Sequence, residues 1–261
     1  MYLYKVEVRA KKYLGQHFLT DQSVATRIVE ALSSEGWQLP MQGLEVGPGM
    51  GVLTQYLLCR EDLSLKAVEI DGESVVYLNE HFPALTPSLL QEDFLALNLQ
   101  KVFKGENFSV IGNFPYNISS QIFFKVLDYK NSVPQVVCMI QKEVAERIAA
   151  GPGSKTYGIL SVLLQAWYDI EYLFSVGEGA FVPPPKVKSA VIRLCRNSRR
   201  DIGCDAALFK TVVKTAFNQR RKTLRNSLNP LGKPVPESFA SLRPEQLSVE
   251  QFIELTKAFE G

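Results

Sequence analysis

Short apolar runs alternate with amphipathic stretches through the first two-thirds of the chain. The pattern predicts a strand over Gln42–Val46 that ends at a glycine turn, and a helix over Val52–Leu58. It continues with a strand over Ser64–Ile70, a helix over Gly72–His81 and a short strand at Leu89–Gln91. Phe108–Gly112 reads as a strand, followed past a proline turn by a helix over Ser119–Leu127. The run Gln135–Ile140 has the β-branched, apolar character of a strand buried on both faces, and Lys142–Ala149 is amphipathic and helical. Strands that alternate with helices in this way build a mostly parallel sheet with helices on both faces.

Beyond residue 150 the pattern changes by stages. Tyr157–Tyr168 reads as a helix, and Ile170–Val176 and Ser189–Leu194 as strands joined through a rigid, extended triple proline, Pro183–Pro185. After Asn197 the predicted elements are helical: Ala206–Phe217, Arg221–Leu228 and Val249–Phe259, with a Pro/Gly-rich interruption at 229–236. The expected organisation is an α/β domain over residues 1–198 and a small helical domain over 199–261. The second is too short to be secure alone and is expected to dock on the first.

Composition narrows the classes. Hydrophobic residues make up 46% of 261 residues, which suffices for a sizeable core. No stretch approaches the ~18 consecutive apolar residues of a membrane span. Met1–Lys12 mixes Tyr, Lys, Glu and Arg and lacks the apolar run of a secretory signal, so a cytoplasmic protein is expected. Cys59, Cys138, Cys195 and Cys204 are irregularly spaced and only His17 and His81 are present, so no metal site is expected. Nothing points to an obligate interface, and a monomer is expected. Charge is unevenly spread. Residues 183–226 carry twelve Lys/Arg against two acids, a local +10 on a chain of net charge +2, which leaves −8 for the remainder. A basic region on an acidic body suits a polyanionic partner, although a solvated basic surface would look the same.

The sharpest local signal is Leu44-Glu45-Val46-Gly47-Pro48-Gly49-Met50-Gly51, a glycine turn between a strand and a helix. Gly47 and Gly49 would let the backbone approach a ligand where a Cβ would obstruct it. Glu69, at the end of the next strand, stands where an acid accepts hydrogen bonds from ribose hydroxyls, with Ile70 beside it. Nicotinamide-binding folds share both features, so a dehydrogenase is one reading. However, the glycines run G-x-G-x-G here, not G-x-G-x-x-G, which favours a methyl donor without a pyrophosphate. Asp93, followed by Phe94, falls at the same sheet edge. It either accepts from an adenine amine or caps a turn.

Asn113-Phe114-Pro115-Tyr116 closes the fourth strand. An adenine N6 lone pair is conjugated into its ring and is a poor nucleophile. Two acceptors, the Asn113 side chain and the Phe114 carbonyl, would hold the amino hydrogens and aim the lone pair at an incoming methyl group. Pro115 fixes the turn, and Tyr116 can stack on the base. No strong base is required, because the product ammonium is acidic.

At this point the chain resembles a known family. The segments KKYLGQHFL (11–19), LEVGPGMGVLT (44–54), VEID (68–71), EDFL (92–95), NFPYNIS (113–119), QKEVAERI (141–148), FVPPPKVKSAVIRL (181–194) and FNQRRKTLRNSL (217–228) stand in the order found in bacterial small-subunit ribosomal RNA adenine dimethyltransferases. The resemblance is nearly full-length. It implies a Rossmann-like S-adenosylmethionine-dependent methyltransferase fold and cofactor contacts at His17, Leu19, Gly47, Glu69, Asp93 and Asn113. Either Asn or His serves at position 17 in the family. The resemblance also implies Phe181 as a second aromatic that sandwiches the target base against Tyr116, although a Phe before three prolines can equally be a core plug. Phe114 departs from the family's usual Leu, which implies altered packing and intact chemistry. Lys186, Lys188, Arg220, Arg221, Lys222 and Arg225 are the candidate RNA contacts. The implied reaction dimethylates N6 of two adjacent adenosines in a hairpin loop near the 3′ end of 16S rRNA, during small-subunit biogenesis. Two alternatives remain: a 23S rRNA adenine methyltransferase of the antibiotic-resistance type, and an RNA-binding assembly or transcription factor that keeps the fold without catalysis.

Overall fold

Residues 8–260 are described by the computed structural model of the chain. The reading of Met1–Lys12 as lacking a secretory signal therefore falls, for residues 1–7, outside the described residues. In chain order the elements are β1 (Phe18–Leu19), α1 (Gln22–Glu30), β2 (Met41–Val46), α2 (Thr54–Leu57), β3 (Leu63–Val68), α3 (Gly72–His81), β4 (Leu89–Leu90), α4 (Leu99–Val102), β5 (Phe108–Asn113) and α5 (Ser119–Asp128). They continue with β6 (Gln135–Gln141), α6 (Lys142–Ala149), α7 (Ile159–Gln165), β7 (Tyr168–Val176), β8 (Phe181–Val182), β9 (Ser189–Arg196), α8 (Ala206–Asn218), α9 (Leu224–Ser227), α10 (Glu237–Ala240) and α11 (Val249–Glu260).

Two compact units emerge. One holds the chain up to Ala145 together with Glu171–Cys195; the other holds Glu146–Ile170 and the chain from Arg196 onward. In the first, the strands form a sheet ordered β4-β3-β2-β5-β6-β9-β7. Neighbours from β4 to β6 run parallel, and β9 runs antiparallel to β6. The central strands bury both faces: every residue of β6 except Gln141 is buried, as a sheet covered on both sides requires. Gly112 is dictated by close approach. A Cβ there would stand 2.5 Å from the Val46 carbonyl oxygen on the neighbouring strand, and backbone cannot yield.

Four elements of this unit go beyond the pattern reading: α1, β1, β8 and the one-turn α4. α1 begins at Asp21, whose carboxylate accepts from the Ser23 and Val24 amides, and it buries Val24, Ala25, Ile28 and Val29. β1 and β8 pair antiparallel, Leu19 opposite Phe181, in a separate two-stranded sheet.

The second unit is helical. α8 is capped by Asp205, which accepts from the Leu208 amide at 2.6 Å, and it buries Phe209, Val212, Val213 and Ala216. α11 buries Val249, Phe252, Ile253, Leu255 and Phe259. Phe217 stacks on Phe252 at 5.8 Å and meets Tyr157 edge-on at 6.2 Å. α7 is buried from Leu160 to Leu164 and packs with α8 and α11. Residues 146–170 thus lie in the helical unit, not in the first domain as the sequence suggests: the buried Leu160, Val162, Leu163 and Leu164 need apolar partners, and α8 and α11 supply them. The helix expected over Arg221–Leu228 is confined to Leu224–Ser227, because Thr223 is extended. No helix among the described residues is long and apolar enough to cross a membrane.

Candidate active site

The register of the parallel strands assembles the site. Val46 pairs with Val68, and Glu45 with Ile111, so β2, β3 and β5 end in step. Gly47, Glu69 and Asn113 follow at one edge of the sheet, the edge at which open α/β sheets bind ligands. A cavity opens there. Its wall takes in Gly47, Gly49, Glu69, Ile70, Asp93, Phe94, Asn113, Phe114 and Tyr116, together with His17 and Leu19 from the N-terminal segment.

Gly47 has φ +68°, a conformation costly for any residue with a Cβ, yet a Cβ there would meet nothing nearer than Pro115 Cδ at 4.0 Å. The glycine serves the backbone bend, and the space above it is open. Glu69 is buried and both its oxygens are engaged by backbone: Oε2 accepts from the Gly49 amide at 3.1 Å and Oε1 from the Asp71 amide at 2.9 Å. Burial pushes its carboxyl pKa up, and these amide bonds partly pull it back. Each oxygen keeps a lone pair for a ligand hydroxyl. Asp93 is exposed. Its Oδ1 accepts from the Leu95 amide at 2.8 Å, and its carbonyl accepts from Ala96 and Leu97. The turn uses one carboxylate oxygen and does not need the other.

Asn113 is oriented by main chain. Its Nδ2 donates to the His17 carbonyl at 3.0 Å. A carbonyl only accepts, so the amide nitrogen must face it, and Oδ1 is left as an acceptor. The Phe114 ring is 1% exposed and meets Phe123 edge-on at 6.0 Å. The Phe-for-Leu departure is thus absorbed in the core. The Tyr116 phenol hydrogen-bonds the buried Ser189 hydroxyl, and burial pushes its pKa up. Its ring faces that of His17, centroids 5.4 Å apart and planes 30° apart. His17 Nδ1 donates to the Pro183 carbonyl at 2.9 Å.

Phe181 is placed differently from expectation. It is 2% exposed within the hydrophobic core and is not on the cavity wall. Side chains alternate along a strand, so in β8 Phe181 points inward while Val182 points out, 59% exposed. The core-plug reading describes this residue, and the sandwich is not formed here. Lys186 and Lys188 are exposed on the segment after β8. In the helical unit Arg221 and Lys222 are exposed, Arg220 donates to the Ser154 carbonyl at 3.2 Å, and Arg225 pairs with Glu237 at 2.9 Å.

Three contributors escaped the sequence reading. Ser189 lies inside a quoted motif, but its pairing with Tyr116 spans 73 positions. Asn117, next to Tyr116, donates to the Tyr13 carbonyl at 3.2 Å and ties down the N-terminal segment. Glu45 sits at the cavity floor, 1% exposed, with Oε2 accepting from Thr54 Oγ1 at 2.7 Å and Oε1 without a partner among the described residues. A charged residue inside an apolar strand was its signal. Burial pushes the Glu45 carboxyl up from 4.5 to about 8, with Glu69 adding to the rise and the Thr54 bond opposing it.

A carboxyl whose pKa is higher folded than unfolded costs no stability at low pH. Its contribution is lost as pH rises from the unfolded value to the folded one, here from 4.5 to about 8. Glu45→Gln should therefore be about as stable as wild type below pH 4.5 and more stable near pH 8, by an amount on the order of a few kcal/mol. Thermal melts of both proteins at the two pH values check this; a constant gap would mean that Glu45 is ionised in the fold.

A family model described as ribosomal RNA adenine dimethylase matches residues 7–255. A Parabacteroides distasonis protein named ribosomal RNA small subunit methyltransferase A is 63% identical, over 95% of this chain and 93% of its own. A Flavobacterium johnsoniae protein of the same name is 53% identical, over 98% of this chain and 97% of its own. The crystal structure of a dimethyladenosine transferase from Plasmodium falciparum superimposes with a TM-score of 0.76 at 22% identity, covering 94% of this chain and 98% of that one. At that identity the likeness speaks for the fold, which is the Rossmann-like methyltransferase fold that the resemblance implied.

Proposed function

Since the chain belongs to the ribosomal RNA adenine dimethylase family, we propose that its cavity seats S-adenosylmethionine and that the Asn113–Tyr116 turn presents adenosine N6 of the small-subunit rRNA for methylation. The chain is a small-subunit rRNA adenine dimethyltransferase, and each target adenosine receives two methyl groups. The large-subunit alternative is not favoured, because relatives at 63% and 53% identity carry the small-subunit name. The targets are two adjacent adenosines of the 3′-terminal hairpin loop of 16S rRNA. The exposed Lys186, Lys188, Arg221 and Lys222 meet RNA phosphates, with Arg220 and Arg225 beside them. The enzyme works as a monomer in the cytoplasm.

The observation that carries the mechanism is the fixed amide of Asn113. The residues of the cavity fit the cofactor. Glu69 offers two acceptor oxygens for ribose hydroxyls, and Asp93 keeps one for an adenine amine. Gly47 leaves open space, and the unpartnered Glu45 Oε1 gives the floor a polar group for an amine to meet. When bound, S-adenosylmethionine supplies an electrophilic methyl group on a sulfonium. In the first transfer Asn113 Oδ1 and the Phe114 carbonyl accept the two hydrogens of the substrate amine, which draws its lone pair out of conjugation; in the second, one of them accepts the single hydrogen that remains. Tyr116, held at its phenol by Ser189, stacks on the base. The product proton is acidic enough to leave to water, so no side chain is needed as a strong base.

Small subunits lacking the modification, incubated with protein and S-adenosylmethionine, should yield N6,N6-dimethyladenosine by mass spectrometry of their rRNA. Methylation of naked large-subunit RNA with none on small subunits would overturn the assignment.

A further inference from the structure

Lys125 is an unexpected residue for its position. α5 buries Ile122, Phe123 and Val126, and Lys125 is buried with them, 9% exposed. An ammonium on such a face is costly, and Met would fill the same length without the penalty. Burial pulls its pKa below the ordinary lysine value, with Asp93 and Asp128 opposing the fall.

The cost is offset by its hydrogen bonds. Lys125 Nζ donates to the Leu95 carbonyl at 2.9 Å and to the Leu97 carbonyl at 2.5 Å. It also lies 5.3 Å from the Phe94 ring centroid. These groups belong to the turn that carries Asp93. Inside that turn the Leu95 amide donates to Asp93 Oδ1, and the Ala96 and Leu97 amides donate to the Asp93 carbonyl. The amides of the turn thus converge on Asp93, and two of its carbonyls converge on Lys125. α5 itself begins immediately after the Asn113–Ile118 stretch of the cavity wall. One short helix therefore links the turn proposed to present the substrate amine to the turn proposed to hold the cofactor's adenine.

We propose that Lys125 is a positioning residue: by clamping the Leu95 and Leu97 carbonyls it holds the 93–97 turn so that Asp93 and Phe94 recognise the adenine ring of the cofactor. This rests on the reading of Asp93 as acceptor for the adenine amine. Lys125 does not touch the cofactor. Its loss lets the turn relax, and Asp93 loses its aim. Selectivity for the amine falls before catalysis does.

The test compares binding of S-adenosylhomocysteine with that of its counterpart lacking the adenine 6-amino group, by calorimetry on the full-length protein. Wild type should prefer the amine-bearing ligand by about tenfold, the worth of one hydrogen bond to a charged acceptor. Asp93→Ala should lose that preference. Lys125→Met should lose it as well, with the cofactor KM raised and kcat nearly unchanged, and Lys125→Arg should restore much of it. A general weakening of the fold would lower binding of both ligands equally and leave the ratio intact. If Asp93→Ala abolishes the preference and Lys125→Met keeps it, the positioning role is wrong. If Asp93→Ala itself keeps the preference, the adenine reading of the turn fails, and the role of Lys125 falls with it. Should Lys125→Met not fold, Lys125→Arg and Lys125→Gln are compared by the same ratio, and a wild-type ratio in Lys125→Gln overturns the proposal.

Discussion

Asn113→Ala is expected to lower kcat by about 10²–10³, the range seen when one oriented polar group is removed from a reacting centre. Asn113 is half-buried at the strand end, and among the described residues its side chain bonds the His17 carbonyl, so the fold should survive the change. Asn113→Asp is the more telling variant. Its shape is nearly identical, but a carboxylate oxygen would then face the His17 carbonyl oxygen, acceptor against acceptor. The side chain would turn away, and Asp should not rescue activity. Single-turnover methylation of unmodified small subunits, with melting curves as the control, decides the matter. Full activity in Asn113→Asp would show that the orienting bond to His17 is irrelevant.

Glu69→Ala should weaken S-adenosylhomocysteine binding by about 100-fold, from the loss of charge-assisted bonds each worth ~1.5–3 kcal/mol. Two effects combine. The ribose loses its acceptor, and the Gly49 and Asp71 amides lose the carboxylate that both of them bond. Glu69→Gln separates the two. It keeps the volume and one acceptor oxygen but sets an NH₂ against one of those amides, so its affinity should fall between wild type and Ala. Calorimetry measures all three. Wild-type affinity in Glu69→Ala would remove this residue from the cofactor site.

The glycine turn and the acid of the candidate site are legible in the sequence because they are local. A glycine turn after an apolar strand, and an acid at the end of the next, are readable from spacing alone, and the parallel register then brings them together. Asp93 was legible for the same reason. What escaped was long-range. β1 and β8 are two residues each and pair across some 160 positions, which leaves no periodicity to detect. The partner of Asn113 is a backbone carbonyl, which no side-chain pattern reveals. Which side Phe181 faces is not legible, because an aromatic before prolines looks alike whether it faces a cavity or the core; in the fold its strand pairing with Leu19 turns it inward. Residues 146–170 were drawn into the first domain because sequence proximity says nothing about which apolar surface a helix meets. α1 was overlooked, although Asp21 followed by Ser23 marks a helix start.

The contact between His17 and Asn113 carries a consequence for substitution at position 17. The acceptor is main chain, so no substitution at position 17 deletes it. The side chain at position 17 has separate tasks: its imidazole bonds the Pro183 carbonyl and faces the Tyr116 ring. An asparagine amide at position 17 could donate to the same carbonyl, so that bond does not require an imidazole. The orientation of Asn113 therefore does not depend on which side chain stands at position 17, and a substitution there acts through how the N-terminal segment is fastened.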